Sequence, residues 1–350
     1  MAKLVNGNAV FNYDELKDWG LEVCKKVGIG DEEAKVLVEI LLLTNLRGID
    51  THGITMLPSY AERYSNIEHF DIKIEKDHGA GAVINGGNHT GQYVTVLAMD
   101  EACKRADKYG IGLVDVKEIN HSGAMGVYGY MLAKRGYIGL ATTNSMPLIA
   151  PWGGLEPLFG NNPFSIAVPD GDTPFVLDIA NSVVARQKIY NYQREGKPIP
   201  EGWATDKDGN VTTDPNKALE GTLLAIGGHK GTGIALMIDV ILGLFAGGSF
   251  GVNICPNVVR DRPQHVSQMI IAIKPDFYMD KEESEAAIKA YKERFYAIPA
   301  KKGARTYLPG EIELITQADR EKNGIPITLP RLKEMNEFNE KFGLARIELE

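Results

Sequence analysis

Two blocks of this sequence combine side chains capable of chemistry with residues that leave room for a ligand. In Ile119-Asn120-His121-Ser122-Gly123-Ala124-Met125-Gly126 one imidazole stands in a run of small residues. An apolar stretch over 111–116 precedes it, and a helical pattern through Tyr128, Tyr130 and Leu132 follows. A core histidine needs packing partners; a histidine that meets a ligand needs space. In Arg47-Gly48-Ile49-Asp50-Thr51-His52-Gly53 a guanidinium, a carboxylate and an imidazole fall within seven positions. The planar fork of Arg47 suits a substrate carboxylate, to which it can donate two parallel hydrogen bonds. The other reading is a helix end with a favourable cation tied to Asp50, and it stays open.

A third block, Gly228-His229-Lys230-Gly231-Thr232-Gly233, opens a helix expected from about residue 234. Backbone N–H groups at a helix start, with Lys230 beside them, suit a phosphate. A tight loop with a solvated lysine is the equal alternative. The glycine spacing fits neither the dinucleotide fingerprint nor the Walker loop, and no G-x-G-x-x-G follows a strand. Asp206, Asp208, Asn210 and Asp214 lack the glycine and closing glutamate of a calcium loop, and read as a solvated hairpin. The seven histidines show no H-E-x-x-H spacing, and no G-x-S-x-G elbow is present.

The elements that must position these blocks are legible from periodicity. Asn12 and Glu15 form a capping-box pattern ahead of a helix, Gly28-Ile29-Gly30 ends it, and Asp31 opens a second with Val36, Leu37, Ile40, Leu41 and Leu43. A third follows Pro58. From residue 79 short apolar runs alternate with helical patterns: strands over 81–84, 111–116, 138–142, 164–168 and 175–179, helices over 92–108 and up to 134. This alternation indicates an α/β fold. A strand over 269–273 and a helix over 281–297 follow. The expected division is a central α/β domain over 70–264 and a second domain built from 1–69 and 265–350. The apolar run over 234–246, interrupted by Asp239 and Gly243, reads as a buried helix.

Composition bounds the function. With 38 basic and 46 acidic residues the net charge is −8, which argues against nucleic acid or an anionic membrane as partner. No run approaches the roughly 20 apolar residues of a membrane span, and residues 1–12 carry no apolar core of signal-peptide length. Cys24, Cys103 and Cys255 are scattered, so neither a disulfide framework nor a zinc site is expected, and the cytoplasm is the expected compartment.

Taken together, eight ordered blocks carry a family resemblance: RGIDTHGITMLPSYAERY, INHSGAMGVYGYMLAKRGYIGLATTNS, APWGG, GNNPFSIAVP, LDIA, IPEGWATDKDGNVTTDP, GGHKGTGIALMID and LPGE. In that order, from about residue 11 to 329, they resemble the motifs of the malate/L-lactate dehydrogenase type 2 family, which also holds ureidoglycolate, sulfolactate and diketogulonate oxidoreductases. The resemblance implies a nicotinamide-binding fold of its own with a mixed sheet, not a Rossmann sheet, and a homodimer with the active site between domains. It implies His121 as the acid/base of a hydride transfer between NAD(P) and a small 2-hydroxy acid, with His52 in the same site and Tyr60 bonded to substrate. Ser145, Asp178-Ile179-Ala180, Lys230 and Pro309-Gly310-Glu311 correspond to cofactor contacts. An unperturbed imidazole, with pKa near 6.5, suits the proton transfer. NAD is placed first, with NADP open.

Two positions depart from the pattern. Met56 and Ser59 stand where many members carry arginine, so Arg47, or else Arg63, is expected to reach the substrate carboxylate. Met146 replaces the acidic residue of ureidoglycolate enzymes, which puts malate or a similar 2-oxo acid first. Ureidoglycolate oxidation and imine or diketo-acid reduction are the alternatives inside the family. A non-catalytic binding protein on the same fold and a metal hydrolase using Asp50, His52 and His121 are the alternatives outside it.

Overall fold

The structure, a computed structural model, describes residues 3–349. Strands β1 (Lys3–Val5) and β2 (Asn8–Phe11) come first. The capping box then opens α1 (Tyr13–Lys26): Glu15 N–H donates to Asn12 Oδ1 at 2.8 Å, and Asn12 N–H to Glu15 Oε2 at 3.2 Å. Gly28, at φ +82°, turns the chain towards α2 (Asp31–Leu46), and Pro58 sits in the first turn of α3 (Leu57–Asn66). The alternating region holds β3 (Lys73–His78), β4 (Gly81–Asn85), α4 (Gly91–Tyr109), β5 (Ile111–Ile119), α5 (Met125–Lys134), β6 (Ile138–Thr143), β7 (Phe164–Val168) and β8 (Phe175–Ile179). After it come α6 (Arg186–Arg194), the hairpin β9 (Ala204–Thr205) and β10 (Val211–Thr212), α7 (Pro215–Glu220) and α8 (His229–Asp239). Last are β11 (Val266–Ile273), α9 (Lys281–Tyr296), α10 (Glu311–Asn323), β12 (Ile325–Thr328) and α11 (Leu329–Phe342).

The fold is mixed α/β. Seven strands form one sheet in the order β3-β4-β5-β11-β6-β7-β8. Among the described residues β4–β5 is its parallel pair, and the others run antiparallel. Alternate residues, including Ile84, Val114, Val116, Ala141 and Ile270, are buried beneath α4 and α5. The opposite set is only half-covered: Val83, Leu113, Leu140 and Ile271 are half-buried, and Ile166 stays 41% exposed. The chain ends share a separate core. Phe11, Leu16, Trp19, Leu37, Leu41 and Leu57 pack with Ile325, Ile327, Met335 and Phe338, and β12 pairs with β2. A third cluster, with Leu148, Phe159, Ile189 and Leu223, lies under the segment holding the hairpin.

Three expectations are corrected. The boundary after residue 264 assigns β11 to the outer domain, yet β11 is the central strand of the seven-stranded sheet. It pairs with β5 on one side and β6 on the other. Such pairing joins residues about 150 apart and has no local signature. The run over 234–246 is not a buried helix. The helix starts at His229, passes into a π-helical turn (Val240–Phe245), and leaves Met237, Leu244 and Phe245 exposed at 55%, 55% and 82%. Finally, the apolar helix over 36–43, which the sequence suggests as a large part of the homodimer interface, is spent inside its own protomer: Leu37, Val38, Leu41 and Leu42 are fully buried in the terminal-segment core. No described helix is long and apolar enough to cross a membrane.

Candidate active site

His121 stands just past the end of β5, where the sheet is deliberately irregular. The β5–β11 register slips between Val266 and Gln268. Glu118 and His265 take left-handed backbone conformations, at φ +54° and +57°, and their side chains pair at 2.5 Å. This bulge turns Gln264 against the Asn120–His121 peptide. The Gln264 N–H donates to Asn120 Oδ1 at 3.1 Å, the His121 N–H donates to Gln264 Oε1 at 2.9 Å, and Asn120 Nδ2 donates to Asn88 O at 2.7 Å. The catalytic candidate is therefore held through its backbone, leaving its ring free for other contacts.

The ring meets two partners predicted from distant blocks. Its Nδ1 lies 2.7 Å from Tyr60 Oη, delivered by α3. The His52 ring, from a 3-10 turn (Asp50–His52), stacks on it with centroids 5.6 Å apart. Burial drives the His121 pKa down to about 3, and His52 and Arg63 push in the same direction. Burial also lowers His52 and raises the Tyr60 hydroxyl, the latter opposed by Gln92, Arg260 and Arg63. His121 is thus neutral at physiological pH. Tyr60, expected on the substrate, spends its hydroxyl on the imidazole.

The small residues after His121 serve different ends. Gly123, at φ +84°, adopts a conformation that other residues strain to reach, and the nearest atoms to a Cβ there would be 3.8 Å away, so space lies beside it. Gly126 is small because a Cβ would fall 2.6 Å from Asp178 Oδ2. Ser122 is turned inward: its carbonyl accepts from Tyr128 Oη at 2.6 Å and its hydroxyl from the Gln268 amide.

Two guanidiniums flank this centre. Arg63, 3% exposed, lines a small cavity with Tyr60, Tyr64, Thr90, Asn120 and His121. Its Nη2 donates to the carbonyls of Pro256, Asn257 and Val259, while its buried Nη1 has no partner. Arg260, from the same loop, donates to Ser59 Oγ at 2.5 Å. Burial lowers the Arg63 pKa to about 10, with repulsion from Arg260 next in size. Arg260 therefore reaches the position where an arginine is missing from the helix.

The arginine expected at the substrate carboxylate lies elsewhere. Arg47 is 2% exposed, stacks its guanidinium 4.0 Å over the Tyr130 ring and donates to Gln317 Oε1 at 3.4 Å. It is not tied to Asp50 either: Arg320 grips both Asp50 oxygens, at 2.6 and 2.9 Å. Met56 packs against the terminal-segment core and lines a surface pocket with Ser59 and Glu62.

The predicted cofactor segments converge on a residue that the sequence did not single out. Asn181 N–H donates to Asn161 O at 2.8 Å, its Nδ2 to Asn162 O at 2.6 Å, and its carbonyl accepts from Ile226 N–H at 2.9 Å. Asn162 Oδ1 accepts from the Ser145 N–H at 3.0 Å, and Ser145 Oγ pairs with Asn161 Oδ1 at 3.0 Å. Ile226 leads into the loop before α8, whose first turn presents an exposed Lys230 with no acidic partner among the described residues. Most N–H groups of that turn are already taken by local carbonyls, including Gly231 by Ile226 at 3.0 Å, which leaves the Lys230 side chain as the free donor there. Asp178-Ile179-Ala180 ends β8 directly before Asn181. Desolvation pushes the Asp178 carboxyl up to about 6, opposed by the Gly126 N–H, although the residue keeps an exposed surface. Pro309 accepts from Val176 N–H at 2.9 Å, Gly310 packs on Val176, and Glu311 accepts from Leu308 N–H at 3.0 Å. Among the described residues no cluster of three or more His, Cys, Asp or Glu side chains is placed to hold a metal.

Comparison with known proteins agrees with this arrangement. The family model for malate/L-lactate dehydrogenase matches residues 11–336. Malate dehydrogenase of Pyrococcus horikoshii is 34% identical over 344 residues, 95% of each chain. Ureidoglycolate dehydrogenase (NAD(+)) of Escherichia coli strain K12 is 32% identical, covering 86% of this chain and 88% of its own. The solved sulfolactate dehydrogenase from Methanocaldococcus jannaschii superposes with a TM-score of 0.89 at 34% identity, over 96% of this chain and 98% of that one. The chain belongs to the malate/L-lactate dehydrogenase family. It is a dehydrogenase of the 2-hydroxy acid type, a class that works with a nicotinamide cofactor.

Proposed function

We propose that the chain transfers a hydride between C2 of a small dianionic 2-hydroxy acid and NAD, with malate/oxaloacetate as the first substrate pair, NADP as the second cofactor and His121 as acid/base. The observation that carries this reading is the Arg63–Arg260 pair beside Tyr60 and His121. Buried Arg63 and half-buried Arg260 repel each other there, and their nearest carboxylate contact, Arg260 Nε to Glu62 Oε2, is a long 3.9 Å. Positive charge left unneutralised next to a neutral base is a place for a substrate carboxylate. Two cations favour two acidic groups, as in malate or a sulfonated analogue, over lactate.

The bound nicotinamide supplies the hydride acceptor. The residues present fit it: Lys230 offers charge for a phosphate, Ser145 and Asp178-Ile179-Ala180 line the neighbouring surface, and Pro309-Gly310-Glu311 closes its edge. Asn181 Oδ1, buried without a partner, is an acceptor in want of an amide donor. As the hydride leaves C2, the hydroxyl proton goes to His121 Nε2, and the carbonyl forms. Tyr60 holds the other ring nitrogen, and His52 packs the ring in place. The test is NADH and NADPH oxidation with oxaloacetate, sulfopyruvate, pyruvate and a cyclic imine. Faster turnover of the imine or of pyruvate than of both dianions would overturn the substrate assignment.

Lys230→Ala should raise the cofactor Kd by roughly 10–150-fold, the equivalent of one charge-assisted contact of about 1.5–3 kcal/mol. Substrate KM at saturating cofactor should move less. An unchanged Kd by fluorescence titration returns Lys230 to a solvated surface role.

The homodimer belongs to the same proposal, with its interface moved. The half-open sheet face and the exposed Met237, Leu244 and Phe245 offer the apolar surface that α2 does not. Contiguous apolar patches of this kind are characteristic of subunit contacts. Light scattering should give twice 38.3 kDa at micromolar concentration. Phe245→Glu should shift the population towards monomer. We place the enzyme in the cytoplasm, in keeping with its acidic charge and buried free cysteines.

A further inference from the structure

The loop after His121 packs against a buried amide that no other group engages. Gln92, in the first turn of α4, is 0% exposed. Neither its Oε1 nor its Nε2 meets a partner at hydrogen-bond geometry. Its Nε2 lies 3.8 Å from where a Cβ on Gly123 would stand, at the same distance as the carbonyl of His52. The amide is close enough to Tyr60 to lower its hydroxyl pKa against the larger, raising effect of burial. An amide left unsatisfied in a dry interior is costly, and such groups persist where function needs them.

We infer that Gln92, acting through Tyr60, sets which ring nitrogen of His121 carries the proton. Only one hydrogen can lie in the 2.7 Å bond between Tyr60 Oη and His121 Nδ1. If the hydroxyl supplies it, Nδ1 accepts, and the neutral ring carries its proton on Nε2, where it cannot take another. The Gly123 N–H, 3.4 Å from Nδ1, favours this state at rest. If Nδ1–H supplies it, Nε2 is bare and ready to accept the substrate proton, but the Tyr60 hydroxyl hydrogen then needs a different acceptor. Gln92 Oε1 is that acceptor once the amide turns about its last bond. With Nε2 facing Tyr60 instead, the amide donates to Oη and drives the hydroxyl hydrogen back to Nδ1. The two amide orientations thus match the two tautomers. In this role Gln92 is a positioning residue, acting on His121 through Tyr60.

The inference rests on His121 being the proton acceptor, and the experiment separates the two. Gln92→Leu removes both amide functions at nearly constant volume. It should lower kcat/KM roughly 10–100-fold, part of the usual worth of positioned proton transfer. The factor must be equal for oxidation and reduction, because the overall equilibrium is fixed. Cofactor Kd should stay the same, and Tm should hold or rise, since an unpaired amide is exchanged for an apolar group. In ¹⁵N-labelled enzyme the His121 Nδ1 resonance should move to the fully accepting, unprotonated value. In a Tyr60→Phe background Gln92→Leu should have no further effect on rate, a test that survives any modest loss of stability. Gln92→Glu, which keeps an acceptor, should recover most of the activity. If His121→Asn retains turnover, the acid/base reading fails and this inference with it. If His121→Asn abolishes turnover but Gln92→Leu leaves rate and the ¹⁵N signal unchanged, or if its only effect is a fall in Tm, the inference on Gln92 is overturned while the acid/base reading stands.

Discussion

His121→Asn should cut turnover by about 10²–10⁴-fold while leaving cofactor affinity within a factor of two or so. Asparagine keeps the backbone bond to Gln264 Oε1 and approximates the volume, so the loss isolates the proton transfer. The pH dependence adds a second mark. Burial holds His121 near 3, so the free enzyme keeps the neutral, proton-accepting form throughout the range in which an ordinary imidazole would charge. The kcat/KM for hydroxy-acid oxidation should therefore stay level as pH falls through about 6.5, where an unperturbed histidine base would begin to lose tenfold per unit. An inflection near 6.5 that vanishes in the variant would contradict the buried, neutral assignment. The sign for stability follows. Below the ordinary imidazole range the unfolded chain binds a proton that folded His121 refuses. Its contribution to stability is present above that range and is lost progressively as pH falls towards 3. His121→Asn should flatten that part of the stability curve.

Arg260→Met should raise KM for malate or oxaloacetate by about 10–150-fold, the loss of one charge-assisted contact of about 1.5–3 kcal/mol, with a smaller effect on lactate or pyruvate. Arg260 is the cleaner target of the pair. Arg63 pins three loop carbonyls through Nη2, and its removal would release the loop over 256–259 as well as the charge. Arg260 donates to Ser59 Oγ and is partly solvated, so its loss should cost the fold little. The control is Arg47→Lys. Without the planar face over Tyr130 and the bond to Gln317 it should lower Tm, and KM should hold. Equal KM effects from Arg47 and Arg260, or none from Arg260, would remove the paired-guanidinium site.

Much of the secondary structure was legible because its causes are local. The Asn12–Glu15 capping box, the Gly28 turn, Pro58 at the start of α3, and the strands over 164–168 and 175–179 depend on neighbours a few residues away, where side-chain period and backbone preference act directly. The family also stood in the sequence. Eight ordered blocks survive as strings, and the match over residues 11–336 rests on them. His121, His52 and Tyr60 stand in those blocks, and the structure brings all three together.

Tertiary structure decided whatever depends on two distant segments meeting. Periodicity identified a strand near 269 but not that it would enter the middle of a sheet between β5 and β6. Chemistry marked Arg47 as a fork for a carboxylate, but the fork was turned on to Tyr130, and the guanidinium that reaches α3 next to Tyr60 is Arg260, about 200 positions after the serine it contacts. Asp50 found Arg320, Gln92 lay against the neighbourhood of Gly123 and Tyr60, and Asn181 tied the 161–162 turn to Ile226. An apolar run over 234–246 looked like interior and became surface, because burial belongs to the layer laid across an element and not to the element itself. Residue type limits what a side chain can do. Which partner it does it with depends on the packing of elements hundreds of residues apart, where the energy lies in contacts that leave no local pattern.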